Sequence, residues 1–252
     1  MQSHPYDLTG PMAEHTLGMV VLQTDETLEQ DFRRLFSVEE ALIYTTRVPS
    51  GAEVTPETLT AMAQSLTQAA ALLPSAARFD ALGYGCTSAT AMLGAQQVAE
   101  LISAPIGDVP VTNPLTAATA ALRALGVHRL GIVSPYVASV AGPIRAGFEA
   151  AGFDVPTTLS FGEAQEANVA RIAAHSICDA ARHVAGTEDL EGLFLSCTNL
   201  RTLDVIDQLE QELGMPVVSS NQALAWHMAW LAGISRLQAP VGRLLRDMPA
   251  LG

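Results

Sequence analysis

Two cysteines lie in short segments of the chain that are nearly copies of each other. Cys86 ends the segment Asp80-Ala-Leu-Gly-Tyr-Gly-Cys86, Cys197 ends the segment Glu191-Gly-Leu-Phe-Leu-Ser-Cys197, and a threonine follows both. A thiolate is a base and a nucleophile, and a thiol is a proton donor. Two such groups can invert a stereocentre, or can add to an activated double bond, let it rotate and then eliminate. Most free cysteines are only small buried residues, but the shared context favours catalysis.

The cysteine segments belong to a longer internal repeat. The segment Leu17-Gly-Met-Val-Val21 matches Leu130-Gly-Ile-Val-Ser134 at an offset of 113 residues, and the two cysteines are 111 residues apart. The segment that ends at Asn113 matches the one that ends at Asn221 at a similar separation. Matching features in the same order at a nearly constant offset predict two similar halves.

Short apolar runs alternate with longer segments rich in alanine, leucine and glutamine in both halves. The runs are typical of buried strands and the longer segments of helices, and this alternation predicts parallel sheets covered by helices. We therefore predict an α/β fold of two Rossmann-like lobes related by a pseudo-twofold axis: residues 1–125, with Cys86, and residues 126–252, with Cys197. The C-terminal helix is free to cross over to the first lobe. The predicted strands are residues 17–22, 81–84, 109–112, 129–133, 193–195 and 216–219.

Ligands of open α/β sheets bind beyond the carboxyl ends of the strands. Both cysteines follow predicted strands, so we expect the active site in the cleft between the lobes. Helices are expected to begin directly after the cysteines, where a helix N-terminus lowers the pKa of a thiol. Backbone N–H groups and side chains there could hold a carboxylate or an enolate oxygen. The candidate substrate-binding residues on these turns are Thr87, Ser88, Thr198 and Asn199.

Composition excludes several classes of function. The chain has 26 acidic and 13 basic residues, a net charge of −13, which disfavours a nucleic-acid partner. All the basic residues are arginine, so no lysine can form the Schiff base of a pyridoxal phosphate enzyme or serve a Walker A motif. The six histidines lack metal-site spacing. We expect neither a cofactor nor a metal.

The chain has no run close to the roughly 20 apolar residues that cross a bilayer, so no membrane partner is expected. The segment Met1-Gln-Ser-His-Pro-Tyr-Asp lacks the features of a secretory signal. Three cysteines, an odd number, indicate free thiols. We predict a cytoplasmic protein that binds a small carboxylate or amino acid and forms a homo-oligomer.

Four motifs resemble the aspartate/glutamate racemase superfamily, closest to its maleate cis-trans isomerase and arylmalonate decarboxylase branch. They are Gly83-Tyr-Gly-Cys86-Thr-Ser, Ser196-Cys197-Thr-Asn, Ser134-Pro-Tyr136 and Glu166-Ala-Asn168. In maleate isomerases the first cysteine adds to the double bond, the second transfers a proton, and a tyrosine and two asparagines bind the substrate. The resemblance implies these roles for Cys86, Cys197, Tyr136 and Asn168. The decarboxylases lack the first cysteine, so its presence here favours isomerisation or racemisation.

One departure from this branch concerns the second asparagine, whose place is taken by Asp25. A carboxylate would repel a dicarboxylate substrate and attract an ammonium group. The segments around Asp25, Cys197 and Asn221 also resemble the ectoine-utilisation protein A group. This resemblance implies a racemase or isomerase that acts on a diaminobutyrate-type intermediate of ectoine and hydroxyectoine breakdown.

Some alternatives remain open at this point. Asp25 could only cap a helix, Asn221 could be a substrate donor or a helix cap, and Tyr136 could only close a turn. Cys178 is interpreted as a core residue. True maleate isomerisation and a non-catalytic binding protein are the rival functions.

Overall fold

Eight strands and twelve helices are found in the part of the chain that the computed structural model describes, residues 3–10 and 12–250. The first sheet contains β1 (His15–Leu22), β2 (Ala41–Val48), β3 (Ala81–Gly85) and β4 (Val111–Thr112). The second sheet contains β5 (Arg129–Tyr136), β6 (Asp154–Glu163), β7 (Gly192–Leu195) and β8 (Val217–Ser219).

Helices connect the strands in both halves. Those of the first half are α1 (Leu28–Leu35), α2 (Pro56–Ala61), α3 (Ala63–Ala70), α4 (Thr87–Leu93), α5 (Ala95–Ser103) and α6 (Pro114–Ala124). Those of the second half are α7 (Ala138–Ala150), α8 (Glu166–Val169), α9 (Ala174–Ala185), α10 (Leu203–Leu213), α11 (Ser220–Ala232) and α12 (Gly242–Asp247).

The two sheets have the same topology. Their strand orders are β2-β1-β3-β4 and β6-β5-β7-β8, and every neighbouring pair is parallel. Parallel strands need crossover connections, which the helices supply. The predicted fold of two α/β lobes with parallel sheets is confirmed.

Equivalent glycines let each central strand pack closely against its neighbours. A methyl group on Gly18 in β1 would lie 2.6 Å from Leu82 Cδ2, and one on Gly131 in β5 would lie 2.6 Å from Leu190 Cδ1 and Val184 Cγ1. Close packing therefore explains why both lobes have a glycine at these equivalent positions, which are 113 residues apart.

The edge strands β2 and β6 were not among the predicted strands. Their residues are mostly half-buried, whereas β3 and β7 are buried along their whole length. Polar residues, Thr45 to Arg47 in β2 and Thr157, Thr158 and Ser160 in β6, interrupt the apolar pattern on which the prediction relied.

Helices α6 and α11 form a large part of the contact between the lobes, and α4 also packs against α7. Helix α11 follows β8 in sequence, yet it packs against α6, β3 and β1 of the first lobe. The residues from Ser220 to Ala229 are all buried, so α11 works as a shared core helix. The division at residue 125 stays a prediction. No helix in the described part of the chain is long and apolar enough to cross a membrane.

Replacing Gly131 with alanine tests the close packing of β5. We expect Gly131→Ala to lower the free energy of unfolding by about 2 kcal/mol, because the side chains around it must move to admit a methyl group. Gly186→Ala is the matched control, since Gly186 has an ordinary φ of −85° and the nearest atom to its methyl group would be 3.4 Å away. Urea unfolding measures both variants, and equal midpoints would contradict the packing argument.

Candidate active site

The two predicted catalytic cysteines and two of the predicted substrate-binding residues lie where the strand order of each sheet reverses, between its first and third strands. Asp25 follows β1 and Cys86 follows β3 in the first lobe, while Tyr136 ends β5 and Cys197 follows β7 in the second. Such reversal points are where open parallel sheets bind ligands. The two lobes therefore each contribute one cysteine and one further polar residue to the same region.

Cys86 is the N-cap of helix α4 and is buried, with 1% of its surface exposed. Its sulfur accepts a hydrogen bond from the Ala89 N–H at 3.3 Å and lies 3.5 Å from Ser88 Oγ. Burial raises the pKa of the Cys86 thiol to about 11; Ser88 and the Ala89 N–H oppose the shift, and Glu166 and Asp25 add to it. Among these effects burial is the largest.

Cys197 lies in a strained turn. Its φ of 107° is in the left-handed region, which non-glycine residues seldom adopt outside functional sites. Its sulfur accepts the Asn199 N–H at 3.2 Å, and its own N–H donates to Ser220 Oγ at 3.0 Å. Burial raises the pKa of Cys197 well above its usual value, Glu166 raises it further, and the hydroxyl of the buried Tyr136 opposes the shift.

The chain after Cys197 differs from the prediction. Helix α10 begins only at Leu203, so Thr198 and Asn199 lie in a loop and not in the first turn of a helix. Thr87 and Ser88 do begin helix α4, as predicted. The repeat thus preserves the position of the second cysteine but not the backbone conformation around it.

The direction of the pKa shift predicted for the cysteines is also wrong. A helix N-terminus was expected to lower the pKa of a thiol, but burial outweighs the hydrogen bonds at both cysteines. With a pKa of about 11, roughly one Cys86 in 10,000 is a thiolate at pH 7. Both cysteines are therefore protonated until something changes their surroundings.

Two threonine hydroxyls hold the cysteine turns together across the lobes. Thr87 Oγ1 is 2.8 Å from Ser220 Oγ, which also accepts the Cys197 N–H. Thr198 Oγ1 donates to the carbonyl of Gly85, the residue before Cys86, at 3.1 Å. Each threonine thus connects its own cysteine turn to the opposite half of the chain.

Asp25 uses one carboxylate oxygen and leaves the other without a partner. Its Oδ1 accepts the N–H groups of Thr27 and Leu28, both at 2.8 Å, and so caps helix α1. Its Oδ2 is buried and has no hydrogen-bond partner among the residues that the structure describes, because the nearby Thr198 hydroxyl donates to the Gly85 carbonyl. Burial raises the pKa of Asp25, and the N–H groups of Leu28 and Thr27, the Thr198 hydroxyl and the charge of Arg47 oppose the shift. Capping accounts for Oδ1 alone, so Oδ2 is available to a ligand.

The structure does not bring Asn168 to the cysteines. Its side chain is exposed and donates to Glu163 at 3.1 Å. Two residues earlier, Glu166 is buried and close enough to raise the pKa of both thiols. Burial raises the pKa of Glu166 itself to about 7, with Asn199 opposing and Asp25 adding to the shift. Sequence reasoning missed Glu166, although it belongs to the motif that was read for its asparagine.

Asn199 joins the loops that carry the two carboxylates. Its Oδ1 accepts the N–H of Glu26 at 2.8 Å, and its Nδ2 donates to the carbonyl of Glu166 at 3.1 Å. Asn199 was predicted to bind the substrate, but these contacts use its amide to position Asp25 and Glu166.

A second buried network lies beneath the Cys197 turn. Asn221 Nδ2 donates to Asp31 Oδ2 at 2.7 Å and to the Thr198 carbonyl at 2.8 Å. Burial raises the pKa of Asp31 to about 7. Ser219, and not Asn221, is the N-cap of helix α11. Asp31 belongs to no motif that the sequence analysis identified. Its place in this network is seen only from the packing of α1 against α11.

A small cavity of about 10 Å³ adjoins the site. Ser88 and Glu166 line it, together with Thr24, Ser50, Leu59 and Met62. No group of three or more histidine, cysteine, aspartate or glutamate side chains is arranged to hold a metal ion within residues 3–10 and 12–250.

Several known enzymes are similar to this chain. Arylmalonate decarboxylase from Bordetella bronchiseptica is 37% identical over 142 residues, which cover 55% of this chain and 59% of that protein. Maleate isomerase from Nocardia farcinica is 27% identical over 251 residues, covering 95% of this chain and 99% of that protein.

Solved structures extend the comparison to the fold. A cysteine-to-serine mutant of the Nocardia farcinica maleate cis-trans isomerase, with a covalently bound succinylcysteine intermediate, has a TM-score of 0.84 and 25% identity and covers 92% of this chain and 98% of that one. The arylmalonate decarboxylase family matches residues 47–245. These findings confirm the predicted enzyme of the isomerase type and the branch recognised in the sequence. The chain belongs to the arylmalonate decarboxylase family.

Proposed function

We propose that the protein is a two-thiol racemase or isomerase of a small amino acid and works without a cofactor. The observation that carries this proposal is the placement of Cys86 and Cys197 at equivalent strand ends, joined through the Thr87 and Ser220 hydroxyls. In the proposed reaction one cysteine loses its proton to solvent as the substrate binds, and the resulting thiolate removes the α-proton from one face of the carbon. The electron pair spreads into the substrate carboxyl group, and the other thiol donates its proton to the opposite face.

Cys86 is the proposed base when the site is first occupied. Its sulfur has hydrogen-bond donors in the Ala89 N–H and the Ser88 hydroxyl. After inversion Cys86 holds the proton and Cys197 is the thiolate, which the Tyr136 hydroxyl and the Asn199 N–H stabilise. The reverse reaction then starts from Cys197, as a racemase requires.

The proposed substrate carries an ammonium group on the reacting carbon. Asp25 Oδ2 is a buried, unpartnered acceptor, and a carboxylate with a cationic partner is far less costly to bury than one without. The ectoine-type motifs favour a diaminobutyrate-type intermediate of ectoine or hydroxyectoine degradation as this substrate. A cation at this point would also favour the thiolate that the reaction needs.

Maleate isomerisation is the second candidate function. It is favoured by the alignment with the Nocardia farcinica maleate isomerase, which covers 95% of this chain. In this reaction Cys86 would add to one alkene carbon while Cys197 protonates the other. Rotation about the new single bond, return of the proton to Cys197 and loss of Cys86 would give fumarate. The buried carboxylates of Asp25 and Glu166 disfavour a dicarboxylate at this site.

The two-cysteine mechanism predicts that either thiol is indispensable. We expect Cys86→Ala and Cys197→Ala each to lower proton exchange at least about 1,000-fold, because each removes a group that gives or takes the proton. Proton NMR in deuterated water would follow each enantiomer of 2,4-diaminobutyrate, its N-acetyl forms and maleate. Cys178→Ala should exchange at the wild-type rate. Full turnover by either of the first two variants would rule out the mechanism, and no reaction on the whole panel would favour a binding protein.

Asp25 separates the two candidate functions. Replacing it with asparagine keeps an oxygen acceptor for the helix cap and removes the charge. Asp25→Asn should lower kcat/KM for the amino acid by about 10- to 100-fold, the effect of a lost charged hydrogen bond, and should improve any reaction with maleate. The same NMR assay measures both. A gain with maleate and no loss with the amino acid would point to the isomerase alternative.

The raised pKa values predict that the free enzyme contains no thiolate near neutrality. Burial holds the pKa of Cys86 at about 11 and that of Cys197 above its usual range. The absorbance at 240 nm of wild type minus Cys86→Ala should therefore stay near zero from pH 7 to pH 9 and rise above pH 10. A thiolate signal already present at pH 7 would contradict this assignment.

A further inference from the structure

We infer that Glu166 is a specificity-determining residue, which binds a primary ammonium group on the side chain of the substrate in a subsite distinct from Asp25. This inference rests on the proposed function, because it concerns the same site and the same amino-acid substrate.

The backbone around Glu166 is held in place by both lobes. Its N–H donates to the Ala52 carbonyl at 3.0 Å, and the Val54 N–H donates to the Ala164 carbonyl at 2.8 Å. The Asn199 side chain donates to the Glu166 carbonyl at 3.1 Å. With its main chain fixed and only 3% of its surface exposed, the Glu166 carboxylate is kept inside the protein.

Two arginines near this region, Arg171 and Arg47, are engaged with other groups. Arg171 pairs with Glu26 at 2.8 Å. Arg47 donates to backbone carbonyls of the loop after β1 and pairs with Glu29. The pKa of Glu166 accordingly shows no lowering by an arginine and is raised by burial to about 7. Such a buried carboxylate is costly unless a ligand supplies the positive charge.

The cavity lined by Glu166 limits what this ligand group can be. Its volume of about 10 Å³ suffices for about one water-sized group, which admits a primary ammonium and excludes a guanidinium or a ring. Ser88, which also lines the cavity, lies 3.5 Å from the Cys86 sulfur. A group in the cavity is thus only a few bonds away from a carbon that Cys86 can reach.

Two acceptors therefore face a ligand from different lobes. The unpartnered Oδ2 of Asp25 follows β1 in the first lobe, and Glu166 begins α8 in the second. This arrangement suits an amino acid with one ammonium on the reacting carbon and a second at the end of a short side chain. Because both carboxylates raise the pKa of both thiols, a doubly cationic ligand would also favour ionisation of Cys86.

Glu166→Gln tests the subsite, because it keeps the shape of the side chain and removes the charge. The probes are 2,4-diaminobutyrate and 2-aminobutyrate, which has the same carbon chain without the second ammonium. For wild type we expect kcat/KM of α-proton exchange to favour diaminobutyrate by at least about 30-fold. The variant should lose at least about 30-fold with diaminobutyrate and less than about threefold with 2-aminobutyrate, in line with one charged hydrogen bond. Glu57→Gln, which removes an exposed charge from neighbouring helix α2, should change neither value.

Other results would overturn the inference in distinguishable ways. Equal losses with both probes would give Glu166 a general structural role, and the absence of a wild-type preference would remove the subsite while leaving the racemase intact. Conversion of maleate with no exchange of either amino acid would refute the proposed function as well.

Thermal unfolding provides a separate check: Glu166→Gln should melt higher than wild type at pH 8 and at the same temperature at pH 4. Above its raised pKa of about 7 the Glu166 carboxyl group is buried in its charged form, which destabilises wild type. At pH 4 the group is neutral, as glutamine is, so the two proteins should melt alike. A lower melting temperature of the variant at pH 8 would mean that the carboxylate is already paired inside the protein, which also overturns the inference.

Discussion

The hydrogen bonds between the two cysteine turns are the contacts on which the rest of the site depends. Thr198 reaches from the second lobe to the Gly85 carbonyl, and Ser220 accepts the Cys197 N–H while it bonds to Thr87. All of these groups are buried, so breaking one bond would leave a polar group without water or a partner. The same bonds hold Cys197 in a backbone conformation that is otherwise unfavourable. Each lobe is built around its own sheet, and these bonds join the two lobes at the point where their thiols must act together.

Three buried acidic residues lie near these thiols. Asp25, Asp31 and Glu166 are all buried, and burial raises the pKa of each of them. Arginines that bridge the lobes, such as Arg34 with Asp204 and Arg171 with Glu26, do so at the exposed rim. The interior is therefore short of positive charge although the rim is not. Such an arrangement reduces stability in the free protein, and it is typical of a site completed by a ligand.

The sequence predicted the central strands and the short edge strands β4 and β8 but missed the long edge strands β2 and β6, for a physical reason. Strands β3 and β7 are covered on both faces and show unbroken apolar runs, while β2 and β6 are partly exposed and polar residues interrupt their apolar runs. The two cysteines were found because their contexts are duplicated. The duplication misled at Thr198 and Asn199, where the strained turn of Cys197 delays the next helix to Leu203.

The sequence by itself determined the α/β class, the two-lobed organisation and the pair of cysteines, because periodicity, composition and repeats are local properties of a chain. Tertiary structure alone decided which polar residues face the thiols. It turned Asn168 to the surface and Glu166 to the interior, although both lie in one short motif on helix α8. It also reversed the expected pKa shift of the cysteines, because desolvation depends on the atoms that pack around a group from distant parts of the chain, and no local pattern specifies them.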